Sequence, residues 1–212
     1  MTRLFVIRHG ETEGNKNKIY RGRWDLPLNE KGLAQVEKAG AALETVRLDA
    51  ILTSPLERTR QTAAAVARFQ EIEPQAEPAL IDIDYGQWTR VADSEVARKH
   101  PDIYARWKHR PETVVFPDGE GLADVRRRVE SLLAGLGEEY PGQNVALCGH
   151  RVSVKMILMV ALGLTDSAFW KILVDTASIS VIGLDAGAFS LVFANDTCHL
   201  KPLADKFKAA DF

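Results

Sequence analysis

The hydrophobic positions of the chain alternate between short unbroken runs and longer stretches with helical spacing. Residues 4–7, 50–53 and 144–148 are short apolar runs, which is typical of strands buried on both faces of a sheet. In residues 31–45 the apolar positions instead recur every three or four residues, which indicates a helix that buries one face. Further helices are predicted at residues 54–70, 94–100, 101–110, 122–139 and 152–162.

Strands that alternate with helices along a chain favour an α/β fold with a largely parallel sheet. Residues 178–184 and 189–194 alternate between apolar and polar positions around a turn at Asp185-Ala186-Gly187, so we expect a hairpin there and a mixed sheet. We therefore predict a three-layer α/β sandwich, in which helices flank a mostly parallel mixed sheet. No linker, repeat or low-complexity segment interrupts the chain, which indicates one domain over residues 1–212.

The helix after the second predicted strand has a clear start signal. Ser54 fits the N-cap, Pro55 the first helical position and Glu57 the third, which is the pattern of a capping box. The side chain of Arg58 then falls in the first turn of this helix.

The composition excludes several classes of partner. The chain has 27 Lys and Arg against 29 Asp and Glu, so no overall field favours nucleic acid or an anionic membrane. No apolar run approaches the roughly 20 residues of a membrane span, and the first residues hold too short a run for a signal peptide. The two cysteines, Cys148 and Cys198, suggest no disulfide framework. We expect a cytoplasmic protein without nucleic-acid or membrane partners.

Basic side chains follow three of the predicted strands. Arg8 and His9 come after the first, Arg58 opens the helix after the second, and His150 comes after the third. Ligands in open α/β sheets bind beyond the carboxyl ends of the strands. Arginine matches phosphate oxygens with two donors, and a helix N-terminus adds backbone N–H groups. The pattern predicts an anion site for a tetrahedral phosphate, with a histidine nucleophile inside it.

Each of these residues also has an ordinary interpretation. Arg8 and His9 fit a surface pair, Arg58 fits a solvated helix face with partners four residues away, and His150 fits a residue that satisfies backbone groups at a helix start. Only their joint placement at strand ends favours the functional interpretation.

Two histidines in one site raise the question of a metal. The five histidines are His9, His100, His109, His150 and His199, and no two of them have HxxxH spacing. The chain also contains no HExxH, CxxC, GxGxxG or GxxxxGK[ST] motif. We therefore expect a cationic site without a metal or cofactor.

Several motifs together resemble one family. The chain is similar to the phosphoglycerate-mutase-like branch of the histidine phosphatase superfamily from about Arg3 to at least His199. The motifs that carry the resemblance are Arg8-His9-Gly10-Glu11-Thr12, Leu28-Asn29-Glu30-Lys31-Gly32, Ser54-Pro55-Leu56-Glu57-Arg58-Thr59-Arg60-Gln61-Thr62 and Gly149-His150. The resemblance implies one α/β domain with a small helical cap subregion at about residues 91–116. It also implies phosphoryl transfer through phosphohistidine without a metal.

The resemblance gives each basic residue a role. His9 would be the nucleophile that attacks phosphorus. Arg8, Arg58 and His150 would hold the non-bridging phosphate oxygens and offset their charge. The residues expected to bind the substrate are Asn15, Arg21, Gly22, Tyr85, Glu120 and Arg151.

The proton donor is where this chain departs from the family pattern. The family usually has a glutamate four residues before a glycine, and Asp82 stands at that position here. Asp82 is therefore expected to be the general acid, with Glu120 or Asp84 as alternatives. Arg151 stands where many relatives have glycine, and a cation there would favour a substrate with a carboxylate beside its phosphate. The alternative is that Arg151 points to solvent.

The resemblance leaves the reaction open between hydrolysis and transfer. Mutases of this branch are generally longer and close over the substrate, whereas this chain shows no such insertion, so water should reach the phosphoenzyme. We therefore favour hydrolysis of a small phosphomonoester. A cofactor-dependent phosphoglycerate mutase is the first alternative, and a catalytically silent phosphate-binding module is the second. Residues 82–86, 99–107, 118–122 and 195–200 look like metal-independent phosphoserine phosphatases, although Tyr85 stands where such enzymes are expected to have histidine. A ribazole phosphate, a sugar phosphate and a broad range of substrates are the alternatives to phosphoserine.

The remaining aromatic residues carry weaker signals. Trp88 is predicted to line the cleft, whereas Trp24, Trp107 and Trp170 are predicted to be core or subunit contacts. His199 is a candidate for lining the pocket from the C-terminal tail. An edge strand or hairpin in this tail could pair with a second copy in a homodimer.

Overall fold

A computed structural model describes residues 1–200, so residues 201–212 of the predicted domain lie outside the described part. The strands are β1 (Thr2–Arg8), β2 (Ala50–Thr53), β3 (Gln75–Ala76), β4 (Asn144–Gly149), β5 (Ile179–Asp185) and β6 (Ala188–Asp196). The α-helices are α1 (Glu13–Lys16), α2 (Glu30–Ala42), α3 (Glu57–Ala67), α4 (Asp93–Lys99), α5 (Pro101–His109), α6 (Leu122–Glu139) and α7 (Arg151–Ala161). Short 3-10 helices cover Pro78–Leu80, Gly86–Trp88, Pro111–Thr113 and Asp166–Lys171. All the predicted strands and helices form, and only their ends differ.

The six strands form one sheet in the order β3-β2-β4-β1-β5-β6. The neighbours β3 and β2, β2 and β4, and β4 and β1 run parallel. The strand β5 runs antiparallel to both β1 and β6. The mostly parallel mixed sheet predicted from the alternation of elements is therefore confirmed.

Helices cover both faces of the sheet because the central strands are apolar on both faces. In β1, Leu4 and Val6 belong to the core that includes residues of α6 and α7. The intervening Phe5 and Ile7 belong to a second core with residues of α2 and α3. This alternation produces the predicted three layers. Among residues 1–200, no helix combines the length and the apolar character that a membrane span requires.

The strand register brings the basic residues to one edge of the sheet. Arg8 at the end of β1 pairs with Gly149 at the end of β4, and Thr53 at the end of β2 pairs with Cys148. The backbone N–H of His9 continues this pairing by donating to the Gly149 carbonyl at 3.0 Å. The segments that follow β1, β2 and β4 therefore begin side by side, as the sequence analysis required.

The start of α3 differs from the prediction. The N-cap is Leu56 rather than Ser54, and the first helical residue is Glu57. The prediction of a Ser54 capping box is therefore wrong. Ser54 lies in the bend after β2, and its hydroxyl forms a 2.8 Å hydrogen bond with Nε2 of His150. The same oxygen accepts the N–H of Leu56 at 3.4 Å, so a tertiary partner and a local partner share the hydroxyl that the pattern assigned to the helix.

The C-terminal hairpin has the predicted turn and forms an edge of the sheet. Ala186 and Gly187 both have positive φ values, 47° and 81°, which suit a two-residue turn between β5 and β6. The pairing of β5 with β6 is irregular at two points, which twists this edge and disfavours pairing with another chain. Leu191, Val192 and Phe193 are exposed along it. The homodimer stays a prediction.

The segment predicted as a cap contains α4, α5 and the 3-10 helix Pro111–Thr113. Trp107 of α5 is fully buried, and its ring lies 5.0 Å from that of Phe116 and 5.1 Å from that of Phe169. The Trp107 carbonyl also accepts a hydrogen bond from Nε1 of Trp170 at 2.5 Å. The segment is therefore packed firmly onto the rest of the protein through aromatic contacts.

We predict that Trp107→Ala lowers the free energy of unfolding by about 3–5 kcal/mol, because it leaves a large cavity where α5 meets the core. Urea denaturation followed by circular dichroism measures this loss. The matched control is Val115→Ala, since Val115 belongs to the same segment but is 68% exposed and should change stability by less than about 0.5 kcal/mol. Equal effects of the two substitutions would show that the segment is not held by its aromatic core.

Candidate active site

Two arginines and two histidines meet at the carboxyl ends of the parallel strands. Arg8, His9, Arg58 and His150 are all buried, and the rings of His9 and His150 lie 5.3 Å apart between centroids. The prediction that these four side chains come together is confirmed by the geometry. Their concentration of positive charge in a buried place favours an anionic ligand.

His9 presents an unprotonated nitrogen in this cluster. Its Nδ1 lies 2.6 Å from the Gly10 carbonyl oxygen, which only accepts, so Nδ1 carries the proton and Nε2 carries the lone pair. Burial lowers the pKa of this imidazole well below its usual value. The charges of Arg58, Arg8 and Arg21 lower the pKa further. His9 is therefore neutral at pH 7 and suited to attack an electrophile through Nε2.

His150 has the opposite tautomer. Its Nδ1 accepts a hydrogen bond from Nε of Arg58 at 3.1 Å, so the proton lies on Nε2, which donates to the hydroxyl of Ser54. Burial is the main cause that lowers the pKa of His150, and the charge of Arg58 adds to it. The site thus holds one histidine with a free basic nitrogen and one with an N–H donor. Ser54 is a site residue that the sequence analysis had assigned to a helix cap.

Arg58 is fixed by backbone carbonyls. Its Nη2 donates to the Gly22 carbonyl at 2.8 Å, and its Nη1 donates to the Trp24 carbonyl at 3.0 Å. Burial lowers the pKa of Arg58, while the nearby Asp82 carboxylate opposes that shift. Gly22 is required at this turn, because its φ is +48° and a Cβ atom would lie 2.9 Å from the Ile83 carbonyl oxygen.

Arg8 is held by the segment that precedes β5. Its Nη1 donates to the Val174 carbonyl at 2.8 Å, and the nearby Ala177 N–H donates to the His9 carbonyl at 3.1 Å. His199 forms a hydrogen bond with the Ala177 carbonyl at 3.0 Å. His199 therefore stabilises this segment and is not part of the pocket wall described below.

Asp82 lies next to Arg58 and His150. Its Oδ2 is 3.4 Å from Nη2 of Arg58 and 4.0 Å from Nδ1 of His150, and the side chain is buried. Its Oδ1 accepts the N–H of Ile83 at 3.0 Å. A carboxyl group therefore stands beside the cluster, as expected for the proton donor.

Glu120 has a different environment. Its Oε1 accepts hydrogen bonds from Arg23 at 2.8 Å and from Arg128 at 2.9 Å. Its Oε2 accepts the N–H of Asp84 at 3.0 Å. Both oxygens are thus engaged with structural partners, and neither faces the two histidines.

Asn15 and Arg21 complete the surroundings of His9. Oδ1 of Asn15 accepts hydrogen bonds from the backbone and hydroxyl of Thr12, so any donation to a ligand would come from Nδ2. Arg21 is buried, and its Nη1 donates to the Ile19 carbonyl at 3.0 Å. The charge of Arg21 acts on the pKa values of both His9 and His150, which places it beside the cluster.

A pocket with a volume of about 470 Å³ adjoins the cluster through Arg21. Tyr85 and Arg151, two other residues predicted to bind substrate, also line it. The complete wall consists of Lys18, Ile19, Tyr20, Arg21, Tyr85, Asp93, Tyr104, Lys108, His109, Arg151 and Trp170. Arg151 is buried and forms a hydrogen bond with the Tyr85 hydroxyl, so the alternative that it points to solvent is wrong.

Two tryptophans exchange the places predicted for them. Trp88 is fully buried against Tyr20 and Phe116, so the prediction that it lines the cleft is wrong. Trp170, predicted as a core or subunit contact, lies in the pocket wall. Sequence spacing contained no signal for this exchange, because Trp88 is in a 3-10 helix and Trp170 is in an irregular 3-10 segment.

The pocket wall is predominantly cationic. Lys18, Arg21, Lys108 and Arg151 face a single acidic residue, Asp93. Burial lowers the pKa of Lys108, and the charge of Arg151 lowers it further, whereas Asp93 acts against this shift. The geometry favours a ligand that carries a second anionic group beyond the one at His9.

The ring of Trp170 is surrounded by cations. Lys108 Nζ lies 5.0 Å from its centroid, the Arg151 guanidinium carbon 5.6 Å and Lys155 Nζ 4.7 Å. Such contacts orient long basic side chains, so Trp170 fixes the cationic wall. In the part of the chain that the structure describes, no group of three or more His, Cys, Asp or Glu side chains is placed to hold a metal.

Comparison with known proteins gives a consistent family. Phosphoserine phosphatase 1 of Hydrogenobacter thermophilus is 35% identical over 200 residues, which are 94% of this chain and 95% of that protein. The adenosylcobalamin/alpha-ribazole phosphatase of Salmonella typhimurium is 28% identical over 94% of this chain and 99% of its own length. Among solved structures, YhfR of Bacillus stearothermophilus matches with a TM-score of 0.90 at 27% identity, covering 95% of this chain and all of that one.

The family described as "Histidine phosphatase superfamily (branch 1)" matches residues 4–197, which is most of the chain. This match includes all three strand ends and every residue of the basic cluster. The chain therefore belongs to branch 1 of the histidine phosphatase superfamily.

Proposed function

We propose that this phosphatase hydrolyses a small phosphomonoester in two steps through a phosphohistidine on His9, without a metal. The observation that carries the proposal is the state of His9. Its Nε2 holds a lone pair, its imidazole is neutral, and two buried guanidinium groups stand beside it. A site that only bound phosphate would need the arginines but not this nucleophile.

In the first step, Nε2 of His9 attacks phosphorus as the bond to the leaving oxygen breaks. Asp82 transfers its proton to that oxygen, and the product alcohol departs. Arg8 and Arg58 offset the charge on the non-bridging oxygens, and the N–H of His150 turns from Ser54 to one of them. In the second step, water attacks the phosphohistidine and gives its proton to the Asp82 carboxylate. Inorganic phosphate leaves, and His9 and Asp82 return to their starting states.

Hydrolysis is favoured over transfer to a second hydroxyl group. The relatives named above are phosphatases and are matched over nearly their whole length. Within residues 1–200 the pocket beside the cluster is also partly open to solvent. A mutase needs a site that excludes water while the phosphoenzyme lasts. Release of phosphate from 3-phosphoglycerate without formation of the 2-isomer would support this choice, and rapid isomerisation would contradict it.

The substrate is proposed to carry a carboxylate beside its phosphate ester, as phosphoserine does. Arg151 and Lys108 lie in the pocket next to the phosphate site, and Trp170 orients both. One relative bears the name phosphoserine phosphatase. Lys108, Tyr104 and Asp93 come from the proposed cap at residues 91–116, which would therefore serve substrate selection.

We propose supporting roles for the other predicted site residues. Asn15 and Arg21 would donate to the phosphate, and Tyr85 would hold Arg151 in place through its hydroxyl. Gly22 would act through its carbonyl, which fixes Arg58. The contacts of Glu120 do not favour direct contact with the substrate.

We predict that His9→Ala abolishes turnover and phosphoenzyme formation while the protein stays folded. The reason is that His9 is the group that forms the covalent bond, and its ring contributes little to the apolar cores. Phosphoenzyme formed from ³²P-labelled substrate is measured after an alkaline quench, because phosphohistidine is acid-labile. Wild-type turnover in the presence of EDTA is the control for metal independence. Substantial activity in a folded His9→Ala variant would contradict the covalent mechanism.

We predict that Asp82→Asn lowers kcat/KM for phosphoserine by about 10²–10⁴-fold, because an alkoxide leaves poorly without a proton. 4-Nitrophenyl phosphate should lose much less, since nitrophenolate leaves almost without assistance. Steady-state kinetics with both substrates provide the comparison. Equal losses on the two substrates would remove Asp82 as the acid. A selective loss in Glu120→Gln larger than that in Asp82→Asn would assign the role to Glu120.

We predict that Arg151→Met lowers kcat/KM for phosphoserine at least tenfold, which corresponds to about 1.4 kcal/mol. The same substitution should lower kcat/KM for phosphoethanolamine by less than about threefold. The two substrates share the same type of leaving oxygen and differ by the carboxylate. Methionine keeps the unbranched apolar stem of the side chain but removes the charged guanidinium that lies over Trp170. The same loss on both substrates would mean that Arg151 does not read a carboxylate.

A further inference from the structure

The proposed acid lies on a loop that secondary structure does not fix. Asp82 lies between the 3-10 helices Pro78–Leu80 and Gly86–Trp88, and no helix or strand contains it. Its carboxyl group is joined to the backbone by a single methylene, so the side chain has little freedom to adjust its reach. The distance from the Asp82 carboxyl to a leaving oxygen therefore depends on where the backbone of residues 81–84 is held.

Arg128 of α6 holds this backbone from one side. Its Nη2 donates to the carbonyl of Ile81 at 3.0 Å and to the carbonyl of Asp82 itself at 3.3 Å. Its Nη1 donates to Oε1 of Glu120 at 2.9 Å. One guanidinium thus joins a rigid helix to the two peptide groups that determine the position of the acid.

Glu120 holds the same loop from the other side. Its Oε2 accepts the N–H of Asp84 at 3.0 Å, and its own N–H donates to the Asp84 carbonyl at 2.9 Å. Its Oε1 also pairs with Arg23. Arg23 directly follows Gly22, whose carbonyl fixes Arg58. The network therefore joins the loop of the proposed acid to the turn that holds the phosphate-binding arginine.

The Glu120–Arg128 ion pair of this network is partly sheltered from solvent. The side chains of Glu120 and Arg128 are 21% and 18% exposed, so solvent weakens their interaction only in part. Glu120 also receives hydrogen bonds from two guanidinium groups and one amide, which fixes its rotamer. Together, the Glu120 carboxylate and the Arg128 guanidinium hold the backbone of residues 81–84 in place.

We propose that Arg128, braced by Glu120, is a positioning residue that sets the reach of the Asp82 carboxyl toward the leaving oxygen. This inference rests on the proposed function, in which Asp82 is the acid. Arg128 is not in the described pocket wall, and its side chain donates to Glu120 and to the carbonyls of Ile81 and Asp82. Its removal should therefore affect only the part of catalysis that needs the proton.

The test is Arg128→Met, which keeps the unbranched apolar stem of the side chain but removes its hydrogen bonds. We expect kcat/KM for phosphoserine to fall about tenfold to a hundredfold, because displacing a reacting group by about 1 Å can cost that much. The value for 4-nitrophenyl phosphate should change by less than about twofold. The ratio kcat/KM reports the transfer of the phosphoryl group to His9 and excludes the later hydrolysis of the phosphohistidine. The comparison therefore isolates the step in which the leaving oxygen needs the proton.

Arg126→Met is the matched control. Arg126 lies on the same helix, and it likewise donates to a carboxylate, Asp166 at 2.8 Å, and to a carbonyl, Leu164 at 2.7 Å. Its partners are not in the loop of the acid. Arg126→Met should therefore leave the ratio of the two substrates unchanged even if both rates fall. Thermal unfolding of the two variants shows whether their losses of stability are comparable.

The double variant Asp82→Asn/Arg128→Met separates positioning from general stability. Two residues that act through one proton transfer are not additive, so the double variant should be no slower on phosphoserine than Asp82→Asn. A further loss of tenfold or more, or equal losses on both substrates in Arg128→Met, would overturn the positioning role. If Asp82→Asn showed no selective loss, the proposed acid would fail first. A selective loss in Asp82→Asn without one in Arg128→Met would overturn only the present inference.

Discussion

The structure depends on holding the Arg58 guanidinium in a buried place with mostly uncharged partners. Arg58 is fully buried, and it donates to two backbone carbonyls and one imidazole, with the Asp82 carboxylate at 3.4 Å. Carbonyl oxygens orient the guanidinium but carry no full negative charge, so the cost of removing it from water is only partly offset. An anionic ligand would supply the missing charge. The turn at Gly22 and the segment that holds Arg8 are thus arranged to keep an anion site ready.

The same positive charge defines the chemistry of the histidines. It acts with burial to lower the pKa of His9, which keeps this imidazole unprotonated. The backbone then determines the tautomer, since the Gly10 carbonyl accepts a hydrogen bond from the N–H at Nδ1. His150 receives the opposite tautomer from Arg58. Two identical side chains 5.3 Å apart therefore differ in function because their hydrogen-bond partners differ.

Sequence patterns predicted the parts of the molecule that depend on local spacing. The runs at β1, β2 and β4 predicted the strands, and the basic residues directly after them predicted the buried cationic cluster, because parallel strands end at one edge. The roles of Ser54, Trp88 and Trp170 could not be predicted. The hydroxyl of Ser54 keeps a local partner in the N–H of Leu56, and its contact with His150 depends on the approach of a residue 96 positions away. The pocket wall likewise combines residues more than a hundred positions apart, from Lys18 to Trp170.

The carboxylates show why residue type alone does not reveal function. Asp82, Asp84 and Glu120 were all candidates for the proton donor, and all three lie within one connected region. They differ in the hydrogen-bond partners of their carboxyl oxygens. Glu120 is engaged by two arginines and an amide, which favours a permanent anion with a structural function, whereas Asp82 faces the histidines from a buried position. The carboxyl group of an aspartic acid is joined to the backbone by one methylene, so its reach toward a leaving oxygen depends on where that backbone is held. A carboxylate paired with arginine, such as Glu120, is suited to hold it. Two similar residues would thus share one proton transfer, one by carrying the proton and the other by fixing where it is delivered.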